Sequence, residues 1–130
     1  MPHLILDYTP ALDTQADMAS LCDHLRRAMI DTGTFPMAGV RVRAHPAAYV
    51  SMADGGGAHM YLHLQLRIGA GRDAATRAAA SKAVFDAACA FLAPVTAAHS
   101  LAISCELVEI DPATSHKTGT TREHLARNPT

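Results

Sequence analysis

Residues 58–68 alternate without a break, placing Met60, Leu62, Leu64, Leu66 and Ile68 on one side and His59, Tyr61, His63, Gln65 and Arg67 on the other. A period of two sustained over that length is a strand with one face in a core and one face outside it. Gly69-Ala70-Gly71-Arg72 then makes a tight turn, and Asp73 supplies an N-cap. The Ala-rich run that follows, carrying Val84, Ala88, Phe91 and Leu92, predicts a helix that Pro94 limits. A final strand is expected over 100–110, with Leu101, Ile103, Cys105 and Leu107 on one face.

The amino-terminal half repeats that order. Residues 3–8 form a short apolar strand bounded by Pro10. With Asp13 or Thr14 as N-cap, the spacing of Met18, Leu21, Cys22, Leu25 and Met29 predicts a helix of about five turns that stops at Gly33. Residues 40–45 alternate again, Val40, Val42 and Ala44 against Arg41, Arg43 and His45, until Pro46 cuts the strand. The two units, 3–45 and 58–110, are offset by roughly 60 residues and read as a tandem β-α-β duplication. Right-handed crossovers would put both helices on one face of a four-stranded sheet, an α+β two-layer fold. Residues 52–57 are a turn-rich connection, and 111–130 form a polar tail with one helical turn near Arg122–Ala126. On the uncovered sheet face, His59, Tyr61, His63, Gln65 and Arg67 are too polar for a core and too long and aromatic for an ordinary solvated strand. Subunit contacts are expected there.

Composition narrows the function classes. The 130 residues, 49% of them hydrophobic, suit a single domain with a core of its own over 1–130. Eleven basic against twelve acidic residues give a net charge of −1 with no Lys/Arg block, so neither nucleic acid nor an anionic membrane is an expected partner. The opening Met1-Pro2-His3-Leu4-Ile5-Leu6-Asp7 lacks the features of a signal peptide, and no stretch approaches the roughly 18 apolar residues of a membrane span, so a cytoplasmic protein is expected. Cys22, Cys89 and Cys105 lie far apart without metal-binding spacing and suit reduced thiols in a core.

The chemistry starts at Pro2. Initiator methionine is commonly removed before proline, which would leave a secondary amine at the chain end. An α-amino group has a pKa near 7.7–8.0, and desolvation with nearby arginines would lower it to give a neutral base near pH 7. Arg41 and Arg43 share a strand face and offer forked donors suited to carboxylates. Arg72 stands where a Gly-rich turn enters a helix and could bind an anion. Arg43 could equally serve a structural salt bridge, and His3 is a possible neighbour of the site because it follows Pro2. Gly69-Ala70-Gly71 lacks the third glycine of a dinucleotide fingerprint, so no nucleotide cofactor is expected. His59 and His63, four residues apart on a strand, are roughly 13 Å apart, too far to share a metal.

Pro2-His3 leading into a strand is followed by Phe35-Pro36-Met37-Ala38-Gly39-Val40-Arg41-Val42-Arg43-Ala44-His45, by Met52-Ala53-Asp54-Gly55 and by Ile68-Gly69-Ala70-Gly71-Arg72. Across nearly the whole chain this resembles the 5-carboxymethyl-2-hydroxymuconate Δ-isomerase family of the tautomerase superfamily. The resemblance implies a tautomerase fold, a homotrimer, and a cofactor-free 1,3-proton shift on a small polycarboxylate dienol in homoprotocatechuate (4-hydroxyphenylacetate) catabolism. Pro2 would be the base, with Arg41 and Arg72 polarising and binding substrate and Arg43 and His3 as further contacts. Two other readings compete: a different reaction on the same scaffold, such as phenylpyruvate-type tautomerisation or dehalogenation, and a non-enzymatic trimeric binding protein. The tail beyond Asp111 is more polar than the family leads one to expect.

Overall fold

The computed structural model describes residues 1–127. Its four strands are β1 (His3–Tyr8), β2 (Arg41–Pro46), β3 (His59–Gly69) and β4 (Ser100–Ile110), in the sheet order β2-β1-β3-β4. β1 runs parallel to β2 and antiparallel to β3, and β3 runs parallel to β4. Helices α1 (Met18–Asp31) and α2 (Ala74–Phe91) cross between the strands of each parallel pair and pack against one another. The α+β fold expected from the duplication is thus present.

The alternation explains the layers. Leu4, Leu6 and Tyr8 of β1 and all five apolar residues of β3 are buried, meeting Leu21, Leu25 and Met29 of α1 and Ala80, Val84 and Ala88 of α2. On the opposite face the polar side chains bond across the strands. Tyr61 donates its hydroxyl to Asp7 Oδ1 at 2.7 Å, and the rings of His63 and His59 hydrogen-bond Ser104 and Ser100 at 2.7 and 2.8 Å.

Four boundaries differ from expectation. The first helix begins at Met18, capped by Asp17, whose Oδ1 accepts from the Ser20 amide at 3.1 Å. Asp13 is already engaged, accepting the Tyr8 hydroxyl at 2.7 Å, and Pro10–Thr14 winds into a 3₁₀ turn that buries Leu12. The helix therefore has 14 residues, about four turns rather than five. Pro94 does not merely limit the second helix: it opens a short further helix, α3 (Ala93–Ala98), because a first-turn residue needs no amide donor. The second strand includes Pro46, opposite Tyr8, which an edge strand tolerates. The polar tail turns back, and its helix α4 (Thr121–Arg127) packs against the 3₁₀ turn Met37–Gly39. Cys22 and Cys105 pack against the core as expected, but Cys89 lines a surface groove with Phe85. Among the described residues, no helix is long and apolar enough to cross a membrane.

Candidate active site

Antiparallel pairing of β1 with β3 brings the start of β1 beside the end of β3, with the start of β2 on the other flank: His3 lies opposite both Arg67 and Arg41. The Arg41 amide donates to the Pro2 carbonyl at 3.1 Å, which fixes Pro2 at the sheet's end. Pro2 is buried. Its ring lies so close to Gly39 that a Cβ there would stand 3.0 Å from Pro2 Cδ. Glycine is needed at 39 for that approach rather than for an unusual φ.

A cavity of about 300 Å³ opens over this point, lined by Met1, Pro2, Gly39, Arg72, Lys117 and Arg122 among others. Arg72 is held in place from two sides. It donates to the Gly69 carbonyl at 3.2 Å and the Thr34 carbonyl at 3.3 Å, and its guanidinium carbon lies 5.2 Å from the centroid of the buried Phe35 ring. These bonds leave part of its donor fork for a ligand. Arg41 donates at 2.8 Å to the carbonyl of Gly39, which lines the cavity.

A second cavity, of about 450 Å³, shares Met1 with the first and is lined by His3, Gly69, His116 and Lys117 among others. Arg43 lines neither cavity, and its partner is His3 Nδ1, at 3.1 Å, rather than the carboxylate of a salt bridge. Guanidinium only donates, so Nδ1 accepts and the ring is neutral with its proton on Nε2. Burial, followed by Arg43 and Arg41, lowers the His3 pKa below its ordinary value.

The electrostatics of the first cavity are one-sided. Among the described residues none of Arg41, Arg72, Lys117 and Arg122 takes part in an ion pair. The amino group of Met1 has its pKa lowered, first by burial and then by Lys117, Arg41 and Arg72. A confined space with several unneutralised cations around a chain-end nitrogen favours anions, and any amine there favours its neutral form.

Of the residues singled out in the sequence, Pro2 and Arg72 line one cavity and His3 the other, whereas Arg41 and Arg43 line neither, Arg41 being bonded to Gly39 on the wall of the first. Lys117 and Arg122 were missed. Nothing local marks them in a polar tail, and only the return of that tail onto residues 37–39 brings them to Pro2.

The model of the 5-carboxymethyl-2-hydroxymuconate isomerase family matches residues 2–125. The chain is 32% identical over 117 residues to a 5-carboxymethyl-2-hydroxymuconate Delta-isomerase from Escherichia coli, covering 90% of this chain and 93% of the relative. A crystal structure of a 5-carboxymethyl-2-hydroxymuconate delta-isomerase superposes with a TM-score of 0.87 at 31% identity, covering 96% of this chain and 93% of that one. One of a 5-carboxymethyl-2-hydroxymuconate isomerase from Deinococcus radiodurans R1 also gives 0.87, at 28% identity over 95% and 92% of the two chains. At the level of fold alone, a fused 4-OT wild type symmetric trimer matches with a TM-score of 0.65 and 16% identity, covering 89% of this chain and 93% of that chain. The architecture is the tautomerase fold.

Proposed function

The chain belongs to the 5-carboxymethyl-2-hydroxymuconate isomerase family, and from that premise we propose that it ketonises a carboxylated dienol by a 1,3-proton transfer, with Pro2 as general base once Met1 has been removed. The observation that carries the reading is that Pro2 and Arg72 line one cavity whose cations have no carboxylate partner among the described residues. In this reading the free Pro2 nitrogen takes the proton of the dienol hydroxyl. The O–H pair becomes the carbonyl π bond, the adjacent C=C pair takes the proton back from the prolinium at carbon, and no redox partner is needed. Arg72 and Arg41 bind the substrate's carboxylate and carbonyl oxygens and stabilise the negative charge that develops on oxygen. Burial, Lys117, Arg41 and Arg72 depress the Met1 amine, and in this reading the same surroundings favour the neutral form of a Pro2 amine one residue further on. The family's name supports the carboxylated substrate, and a place in homoprotocatechuate catabolism is proposed along with it.

The working form is proposed to be a homotrimer. Supporting this are the half-buried Tyr61, His59, His63 and Gln65 on a sheet face that no helix covers, and Tyr49, which is 96% exposed on the loop after β2. The likeness of fold to a symmetric trimer supports it too. Light scattering at micromolar concentration tests it, with a monomer or an active dimer as the contrary result.

Ketonisation of a carboxylated dienol is the decisive assay, run on protein starting at Pro2 and on protein with one residue retained ahead of it. An internal proline nitrogen is an amide with no basic pair, so the extended form should lose about 10²- to 10⁴-fold in kcat/KM. In the processed form kcat/KM should climb with pH through a pKa below the ordinary α-amino value and then level off. Full activity with Met1 in place would exclude Pro2 and leave His3 as the next base.

A further inference from the structure

We infer that Lys117 and the chamber beside it form a second carboxylate subsite, so that the substrate spans both cavities with its reacting dienol at Pro2 and a distant carboxylate at Lys117. The inference rests on the isomerase reading and extends it to how the far arm of the substrate is held. The two cavities have Met1, Gly69 and Lys117 in common. Removal of Met1, which that reading requires, takes away a residue that lines both and leaves Gly69 and Lys117 as their shared wall.

The charges differ from one cavity to the other. Arg72 lines only the first cavity, where the backbone carbonyls of Gly69 and Thr34 and the Phe35 ring hold it rigidly. His3 lines only the second and is kept neutral there by burial and by Arg43. Lys117 lines both and has no carboxylate partner among the described residues. A fixed guanidinium fork suits the carboxylate next to the reacting carbons, where geometry decides the rate. An ammonium on a flexible four-carbon stem suits a carboxylate on an arm that swings as a planar dienol carbon becomes tetrahedral. The arrangement selects a ligand with two or more carboxylates separated by several bonds over a monocarboxylate enol of similar size.

The test is Lys117→Met in protein that begins at Pro2, with Lys117→Arg as the charge-conserving control. Lys117 lies at the surface, so neither change threatens the core. On a tricarboxylate dienol, KM should rise about 10- to 100-fold in Lys117→Met with kcat within about threefold, and Lys117→Arg should recover most of the loss. On a monocarboxylate enol, assayed like the tricarboxylate on the upper pH plateau where the Pro2 amine is already neutral in every variant, both constants should stay within about threefold. Calorimetric titration with propane-1,2,3-tricarboxylate should show the same loss of affinity, and titration with butanoate none. Equal losses on the two substrates, or none, in an active parent protein would overturn the subsite and leave the isomerase reading intact. A parent that binds propane-1,2,3-tricarboxylate through Lys117 but ketonises neither substrate would overturn the isomerase reading and leave the anion subsite.

Discussion

After β1 the chain takes a long route to its helix, through the 3₁₀ turn Pro10–Thr14, and buries Leu12 with no exposure at all. After β3 it turns through Gly69-Ala70-Gly71-Arg72 and enters α2 at Ala74. The two units otherwise share strand, crossover helix and parallel strand, and they contribute comparable apolar faces to one core. Their ends differ. Beside Tyr8 the end of the sheet is closed: Thr9 Oγ1 accepts the Tyr61 amide at 2.6 Å, and the Tyr8 hydroxyl is tied to Asp13. Beside Gly69 the short turn stays clear of the sheet's end, and a cavity remains over Pro2. Duplication supplied two similar halves, and the length of one connection decided which end could hold a ligand.

Four substitutions and a pH series probe that contrast. Leu12→Ala should have the largest effect, about 2–5 kcal/mol of lost stability, because the buried isobutyl group leaves a hole at the closed end. Urea unfolding measures it, and ketonisation by the folded fraction should be nearly unchanged. A loss of activity without a loss of stability would break the contrast.

At the open end the balance reverses. Arg72→Ala, and Arg41→Ala beside it, should each remove about 2–4 kcal/mol of transition-state stabilisation, roughly 30- to 1000-fold in kcat/KM, with the fold retained by circular dichroism. If Arg43→Ala alone proved crippling, the site would have been assigned the wrong arginines. Gly39→Ala should be milder, about 10- to 100-fold in kcat/KM, since its Cβ would press on the Pro2 ring and shift the base by tenths of an ångström. Unchanged kinetics would show that the ring can yield freely.

The smallest effect concerns His3. Its pKa is lowered in the folded chain, so below about pH 6.5 the unfolded chain binds a proton more readily than the folded one. Stability from this group is complete above that pH and declines as pH falls through and below it. Urea midpoints at pH 7.5 and 5 should record the decline, and His3→Asn should flatten it; an equally steep decline in the variant would place the proton uptake elsewhere.

Much of this was legible because alternation is a local signal. The faces of β2, β3 and β4 could be read residue by residue, as could the Asp73 cap, whose Oδ1 accepts the Thr76 amide at 2.8 Å. The start of α1 was misread because Asp13 and Asp17 are equally good caps in isolation, and only the long-range packing of Tyr8 commits Asp13 to another bond. Pro94 reads equally well as the end of one helix or the first turn of the next. Pro2, Arg41 and Arg72 could be singled out by chemistry and motif, and the structure gathers them at one end of the sheet. Lys117 and Arg122 carry no such mark, since exposed charges in a polar tail look alike until the chain returns.

That return also bears on the order of events during synthesis. Met1 is half-buried and shares both cavities with Lys117, with Gly119 lining one of them as well. If Pro2 works as a free amine, the peptidase that excises Met1 needs the chain end bare. At about 5–20 residues per second, residue 117 follows residue 1 out of the ribosome by roughly 6–23 s. Within that interval the end of β1 protrudes with nothing folded across it. A peptidase acting then would meet a bare chain end, whereas a polypeptide refolded with Met1 in place would present it a half-buried one.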